Sequence, residues 1–354
     1  MPAPRISRLW WFTGPVLVGL VATAAVLGTV RLPYIAFRPG GARAVEPLVE
    51  IVGRDDGAEV DAEEPTEDLL YVTVSTSVEP SGLVVLLGLL DDKVQVEPSD
   101  PYLGTQSSDE NRKLNLELMT DSQDKARKVS LERLGYEVGA TPVGAFLEDV
   151  DPDFPAAAVL APGMTIVGAG GREVATREDL VEEITALEPG DDLALEVVPL
   201  GSREPEQVVA RLGERPGEPG TAALGVSLVD RFRYEFPVDI RIDTGKVGGP
   251  SAGLSFTLAI LDRMTPGRLT GGETVAVTGT IELDGSVGPV GGVEHKTEAA
   301  IREGATLFLV PPQELEVAEE RAQGRIDVRA VSTLDEALAA LEEVGGDPLP
   351  EVER

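Results

Sequence analysis

The chain has 354 residues, 42% of them hydrophobic, enough to fill the cores of two or three domains. Its 62 Asp and Glu outweigh 30 Lys and Arg, giving a net charge of −32; this excludes nucleic acid as a partner, because phosphates demand basic patches. With no cysteine and one histidine, thiol catalysis, disulfides and thiolate zinc are ruled out, and neither a metal nor a cofactor is expected.

In chain order, the first feature is a charge-free apolar run from Leu9 to Val30, bounded by Arg8 and Arg31. About 20 such residues cross a bilayer. Trp10 and Trp11 stand where an interfacial aromatic belt would sit, with Arg5 and Arg8 before them. The expectation is an uncleaved transmembrane anchor oriented N-in, C-out; a cleaved signal peptide is the rival, since VATAAVLG offers small residues to a peptidase. Residues 45–68 are rich in Glu and Asp and read as a charged spacer with some strand character. Leu69 to Leu90 contains a strand, a turn at Pro80-Ser81-Gly82 and an apolar stretch, Leu83 to Leu90, read as a buried or interfacial helix too short to span. Glu110 to Arg133 is helical by pattern.

From Leu134 to Leu212 the chain reads as short strands, a small helix, a Gly170-Gly171 turn, an amphipathic helix, Thr176 to Leu187, and a closing strand, Leu193 to Pro199. Beyond it, Gly248-Gly249-Pro250-Ser251-Ala252-Gly253 places a serine at the sharp entry to an apolar helix running to Met264. Backbone N–H groups there have no intrahelical partner and the dipole is positive, which suits an oxyanion site. Serine is also a common helix cap, so this motif alone leaves a plain turn equally open. Thr274 to Leu283 reads as two β runs hinged at Gly279, and Asp284-Gly285 as a turn. A helix over Val293–Arg302 then carries Lys296 one turn past Gly291-Gly292. A lysine made neutral by burial is a base that can activate a serine. His295 is adjacent to Lys296; neighbours on a helix point about 100° apart, so both cannot face Ser251, and His295 reads as an exposed helical residue.

The run VTGTIELDGSVGPVGGVEHKTEAAIREGATLFLVP and the GGPSAG motif, in order and register, resemble the proteolytic domain of Lon proteases, the Ser-Lys S16 family. The resemblance covers roughly 224–343. It implies Ser251 as nucleophile and Lys296 as general base. Thr278 is the threonine beside the dyad, and Gly249, Pro250 and Ala252 shape the nucleophile turn. The fold implied is the ribosomal protein S5 domain 2-like type, commonly assembled as a homo-oligomeric hexameric ring. Two positions depart from the family: Lys246-Val247 stands in place of a Lys-Asp pair, and Thr280 where many ATP-dependent members carry Glu. No G-x-x-x-x-G-K-[ST] phosphate loop occurs, so ATP is not an expected partner. FPAAAVLAPGMTIVGAGGREV resembles a PDZ domain of the bacterial protease type, a fold that adds peptides to a sheet edge. Its carboxylate-binding loop is expected near Thr141–Phe146; packing against the catalytic domain and gating it is the other reading. Met119 to Gln123 with Ala126 resembles the segment that precedes the PDZ domain in membrane-anchored Lon-like PDZ proteases of Gram-positive bacteria.

The expected fold class is α/β (α+β). Residues 1–43 form a tail and transmembrane anchor, 44–135 an acidic spacer with strand and helix, 136–213 a PDZ-like domain and 222–344 a Lon-like proteolytic domain. The resemblance implies an ATP-independent serine endopeptidase cutting unfolded or flexible polypeptides. It would be single-pass in the cell membrane through its N-terminal helix, with the catalytic domain extracytoplasmic. A tethered peptide-binding adaptor with a silent Lon-like domain is the alternative, opposed by the presence of both Ser251 and Lys296. A trypsin-like PDZ protease is excluded, since no histidine precedes the serine.

Overall fold

The computed structural model describes residues 8–54, 60, 62–91, 93–99 and 107–350. The N-terminal half runs α1 (Arg8–Thr29), β1 (Tyr34–Ala44), β2 (Val49–Arg54), β3 (Leu69–Val78), α2 (Gly82–Gly88), β4 (Gln95–Pro98) and the long α3 (Ser108–Arg133). Ser107 starts α3 with a capping box, its hydroxyl accepting from Glu110 N–H while the Glu110 carboxylate takes the Ser107 N–H.

Next comes a five-strand unit with a small partner strand. Its elements are β5 (Gly139–Val150), β6 (Thr165–Ala169), β7 (Arg172–Glu173), α4 (Arg177–Thr185), β8 (Asp192–Val198), β9 (Glu206–Arg211), β10 (Gly213–Glu214), β11 (Ala222–Ala223) and β12 (Val226–Glu235). The sheet order is β12-β5-β6-β8-β9, with β7 on β6. Leu147, Ile166, Leu180 and Leu195 fill its separate core.

The remaining elements are β13 (Val238–Ile242), α5 (Gly253–Met264), β14 (Val275–Val277), β15 (Thr280–Ile281), β16 (Val287–Gly288), α6 (Val293–Arg302), β17 (Leu307–Val310), α7 (Leu315–Ala322), β18 (Asp327–Ala330) and α8 (Leu334–Glu343). The other six-stranded sheet takes strands from both ends of the chain, in the order β18-β17-β14-β3-β1-β4. Leu69–Tyr71 pair in parallel with Val275–Val277, and β1 closes the other side of β3 antiparallel. Strand alternation sorts the side chains. Leu69, Tyr71, Val275, Val277 and Leu307 face α3, α5 and α8; Leu70, Val72, Ala276 and Phe308 face α6 and α7. Helix α5 is apolar all round because it lies inside: Leu254, Phe256, Leu258, Ile260 and Leu261 are each 0% exposed.

The N-terminal anchor requires correction. Arg8–Thr29 is helical, but among the described residues no helix is long and apolar enough to cross a membrane. Described side chains of α1 begin at Leu17. Over that stretch Gly19, Ala22, Thr23, Ala24 and Ala25 dilute its apolarity. Its end packs on α2 instead, where Val30 O accepts from Gly82 N–H at 2.9 Å. The transmembrane element and the single-pass cell-membrane location are overturned by that finding, and a membrane partner held through this helix is not supported. Arg5 and the Trp10 and Trp11 side chains lie outside the described residues. The helix expected at Leu83 to Leu90 forms as α2, yet it is not buried: Leu87 is 56% and Leu90 80% exposed.

Candidate active site

Two helix entries form the site, and glycine makes both possible. Before α5, Gly249 has φ +92°, a left-handed backbone that glycine alone adopts without strain. Gly253 packs so tightly that a Cβ would lie 2.9 Å from Ser122 Oγ and 2.9 Å from Ile281 N. The turn thus passes between α3 and β15. Ser251 sits on it, half-buried, one residue before Ala252, the N-cap of α5. Before α6, the cap is Gly292, left-handed at φ +66°, where a Cβ would meet Val74 Cγ2 at 2.8 Å.

Lys296 stands one turn into α6 and is 3% exposed. Burial lowers its pKa from the ordinary 10.5 to about 7, opposed by the charge of Glu314. Its Nζ donates to Thr278 Oγ1 at 3.1 Å, and Thr278 Oγ1 donates to Ser251 O at 3.2 Å. Gly279 N–H gives that carbonyl a second bond at 3.0 Å. The bonded path from the lysine to the serine turn therefore runs through Thr278, itself 0% exposed. Pro250 O accepts from Gly253 N–H at 3.2 Å and from Ser122 Oγ at 2.9 Å. The Ser251 and Ala252 amides open α5 ahead of its intrahelical ladder, where donors are available to a ligand. Ser251 and Lys296 line one open cleft of about 1360 Å³, together with strand β3 and the start of α3. Among the described residues no group of three or more His, Asp or Glu could hold a metal ion.

The structure brings Ser251, Lys296, Thr278, Gly249, Pro250 and Ala252 into this one place. His295 is buried at 5% exposure rather than exposed, because α6 packs against α7. Burial lowers its pKa, as does the Arg321 charge, and among the described residues its Nε2 has no hydrogen-bond partner. Three contributors went unread. Glu314 accepts from Val290 N–H at 3.1 Å, bracing the Gly291-Gly292 turn. Ser122 and Asn115 reach the serine turn from α3. Their signal in the sequence is faint: polar residues at the same helical face as Met119 and Ala126.

The stretch expected to form the carboxylate-binding loop is strand. Thr141 to Phe146 lies within β5, where Ala145 and Phe146 pair with β12 on one side and β6 on the other. The ends of that sheet's order are β12 and β9, and α4 starts beside β12, Arg177 N–H donating to Asp230 Oδ1 at 2.7 Å.

Residues 228–343 match the Lon protease (S16) C-terminal proteolytic domain. The chain is 32% identical over 164 residues to a Lon protease of Chloroflexus aggregans, covering 42% of this chain and 19% of that protein. It is 33% identical over 162 residues to one of Syntrophomonas wolfei, covering 42% and 20%. This chain thus spans only a small part of those relatives' length. Among solved structures it is similar to the PDZ domain of an SdrC-like protein from Listeria monocytogenes, at 26% identity and a TM-score of 0.23, covering 25% of this chain and 88% of that one. The proteolytic-domain matches support a serine peptidase of the S16 family.

Proposed function

We propose that the chain is an ATP-independent serine endopeptidase cutting unfolded or flexible polypeptides, with Ser251 as nucleophile and Lys296 as general base. The observation that carries this reading is Lys296, desolvated to a pKa of about 7 and one hydroxyl, Thr278, away from the Ser251 turn. Such a lysine is half neutral near pH 7, as a base must be, whereas an ordinary one is protonated almost throughout.

Neutral Lys296 takes the Ser251 hydroxyl proton as Oγ attacks the scissile carbonyl. Donors at the start of α5 receive the oxyanion. Protonated Lys296 returns the proton to the leaving amine, and water, deprotonated in turn by Lys296, releases the acyl group. Thr278 holds the ammonium or amine and the Ser251 carbonyl together, while Gly249, Pro250 and Ala252 keep the turn open to substrate.

An extended substrate fits the cleft. Within β3, β14 pairs with Leu69–Tyr71 alone, so among the described residues that side of β3 has no strand partner beyond Tyr71, while its residues line the cleft. A peptide can add there through main-chain bonds, which suits unfolded chains and is indifferent to their sequence. The PDZ-like unit offers a second open edge at β12 for holding or gating substrate. A homo-oligomeric ring completes the proposal. Covalent capture tests it: a serine-reactive peptidyl phosphonate should label Ser251, identified by peptide mass mapping, and labelling should vanish in Lys296→Ala. Labelling elsewhere, or none, would refute it.

A further inference from the structure

Helix α3 lies outside the matched residues 228–343, yet it touches the serine turn twice. Asn115 O accepts from Gly249 N–H at 2.7 Å. Ser122 Oγ donates to Pro250 O at 2.9 Å. The two residues are seven apart, two helical turns, and so share a face. Between and beyond them Met119 and Ala126 are buried at 3% and 0%, part of the core that includes Leu254 and Phe256 of α5. Gly248 approaches the same helix: a Cβ there would come 2.9 Å from Asn115 Cβ. Gly253 likewise would place one 2.9 Å from Ser122 Oγ. Glu117, on the opposite face of α3, forms an ion pair with Arg231 of β12. The helix is thus held on one side by the PDZ-like sheet while its other side holds the turn.

Ser122 is 3% exposed. A serine that deep inside a helix interface needs a partner for its hydroxyl, and it takes the carbonyl of the residue just before Ser251. We propose that Ser122 is a positioning residue for the peptidase reaction. With the Asn115 carbonyl it clamps Gly249-Pro250 from the α3 side, while Thr278 and Gly279 clamp the Ser251 carbonyl from the other. The amides that would receive the oxyanion belong to the residues between these clamps, so a loosened turn costs transition-state stabilisation more than substrate affinity. The inference rests on the serine-peptidase reading above.

The test compares wild type with Ser122→Ala and Ser122→Cys. Cysteine is nearly the size of serine and a weak donor, so it weakens the bond without opening a void if alanine fails to fold. The expected result is a kcat loss of about tenfold or more in both Ser122 variants, the scale of one lost hydrogen bond. KM should stay within about twofold, and the midpoint of the pH profile should not move. Amide exchange of the segment Lys246–Leu254 is read in parallel, with or without turnover, and should quicken in Ser122→Ala. Unchanged exchange there, or kcat within about twofold of wild type, would overturn the inference. Wild type without turnover but with quickened exchange in Ser122→Ala would refute the peptidase reading and keep the clamp.

Discussion

Replacing Lys296 with methionine should stabilise the protein, by an amount that depends on pH in a way the site dictates. In the folded chain burial holds the ammonium pKa at about 7; in the unfolded chain it returns to 10.5. Between those values the unfolded state binds a proton that the folded state does not, so this group's contribution to stability rises with pH across that window. Below about pH 7 both states are protonated and the full desolvation penalty is present. At about 1.4 kcal/mol per pH unit the penalty approaches about 5 kcal/mol, fading to less than about 1 kcal/mol by pH 10. Lys296→Met removes it. Methionine fills a similar volume, and Thr278 keeps its bond to Ser251 O. Chemical unfolding of both proteins, followed by circular dichroism from pH 6 to 10, gives the difference directly; other titrating groups cancel in the subtraction. The variant should be the more stable by about 4 to 5 kcal/mol at pH 6, and that gap should close by about 4 kcal/mol at pH 10. A gap constant within about 1 kcal/mol across this range would show that Lys296 titrates as an ordinary lysine, and the general-base assignment would fall with it.

Activity should climb through about pH 7 as Lys296 loses its proton and level off above pH 8. Glu314→Gln removes the charge that holds the ammonium up, so the acid limb of kcat/KM should move to lower pH; an unmoved limb would refute the electrostatic link. Burial raises Glu46, which lies 1% exposed against Asp262, from 4.5 to about 7. Its folded pKa exceeds the unfolded one, so its contribution is intact below about pH 4.5 and lost as pH rises through about 7. Glu46→Gln should therefore raise Tm at pH 8 and leave it nearly unchanged at pH 4, which a pair of thermal scans would check. Gly292→Ala forces a left-handed alanine against Val74; it should cost about 1 to 2 kcal/mol of stability and, by tilting the start of α6, at least about tenfold in kcat. Wild-type kinetics in that variant would mean the α6 entry is not geometrically critical.

Local chemistry was legible where it is written in consecutive residues. Gly-Gly before Val293 announces the start of α6, and the apolar run after Ser251 announces α5. The non-local parts were not. Leu69–Tyr71 pair with Val275–Val277, and nothing in either triplet names its partner, since both are short, apolar and equally suited to other buried strands. The acidic residues around 45–68 suggest a solvated spacer, yet Glu46 is buried because Thr66 and Asp262 satisfy it. β12 follows the other strands of its sheet in sequence but pairs with β5, the first of them, so strand order alone could not show that β12 ends the sheet. Apolarity alone misled at the N-terminus, where Arg8–Thr29 is helical but, among the described residues, no helix is long and apolar enough to cross a membrane.

The most direct test of the account is cleavage of an unfolded protein such as casein, without nucleotide, by wild type, Ser251→Ala and Lys296→Ala. Cleavage by wild type and its loss in both variants is the predicted result. Persistent cleavage by Ser251→Ala, or none by folded wild type over a panel of unfolded substrates, would contradict it.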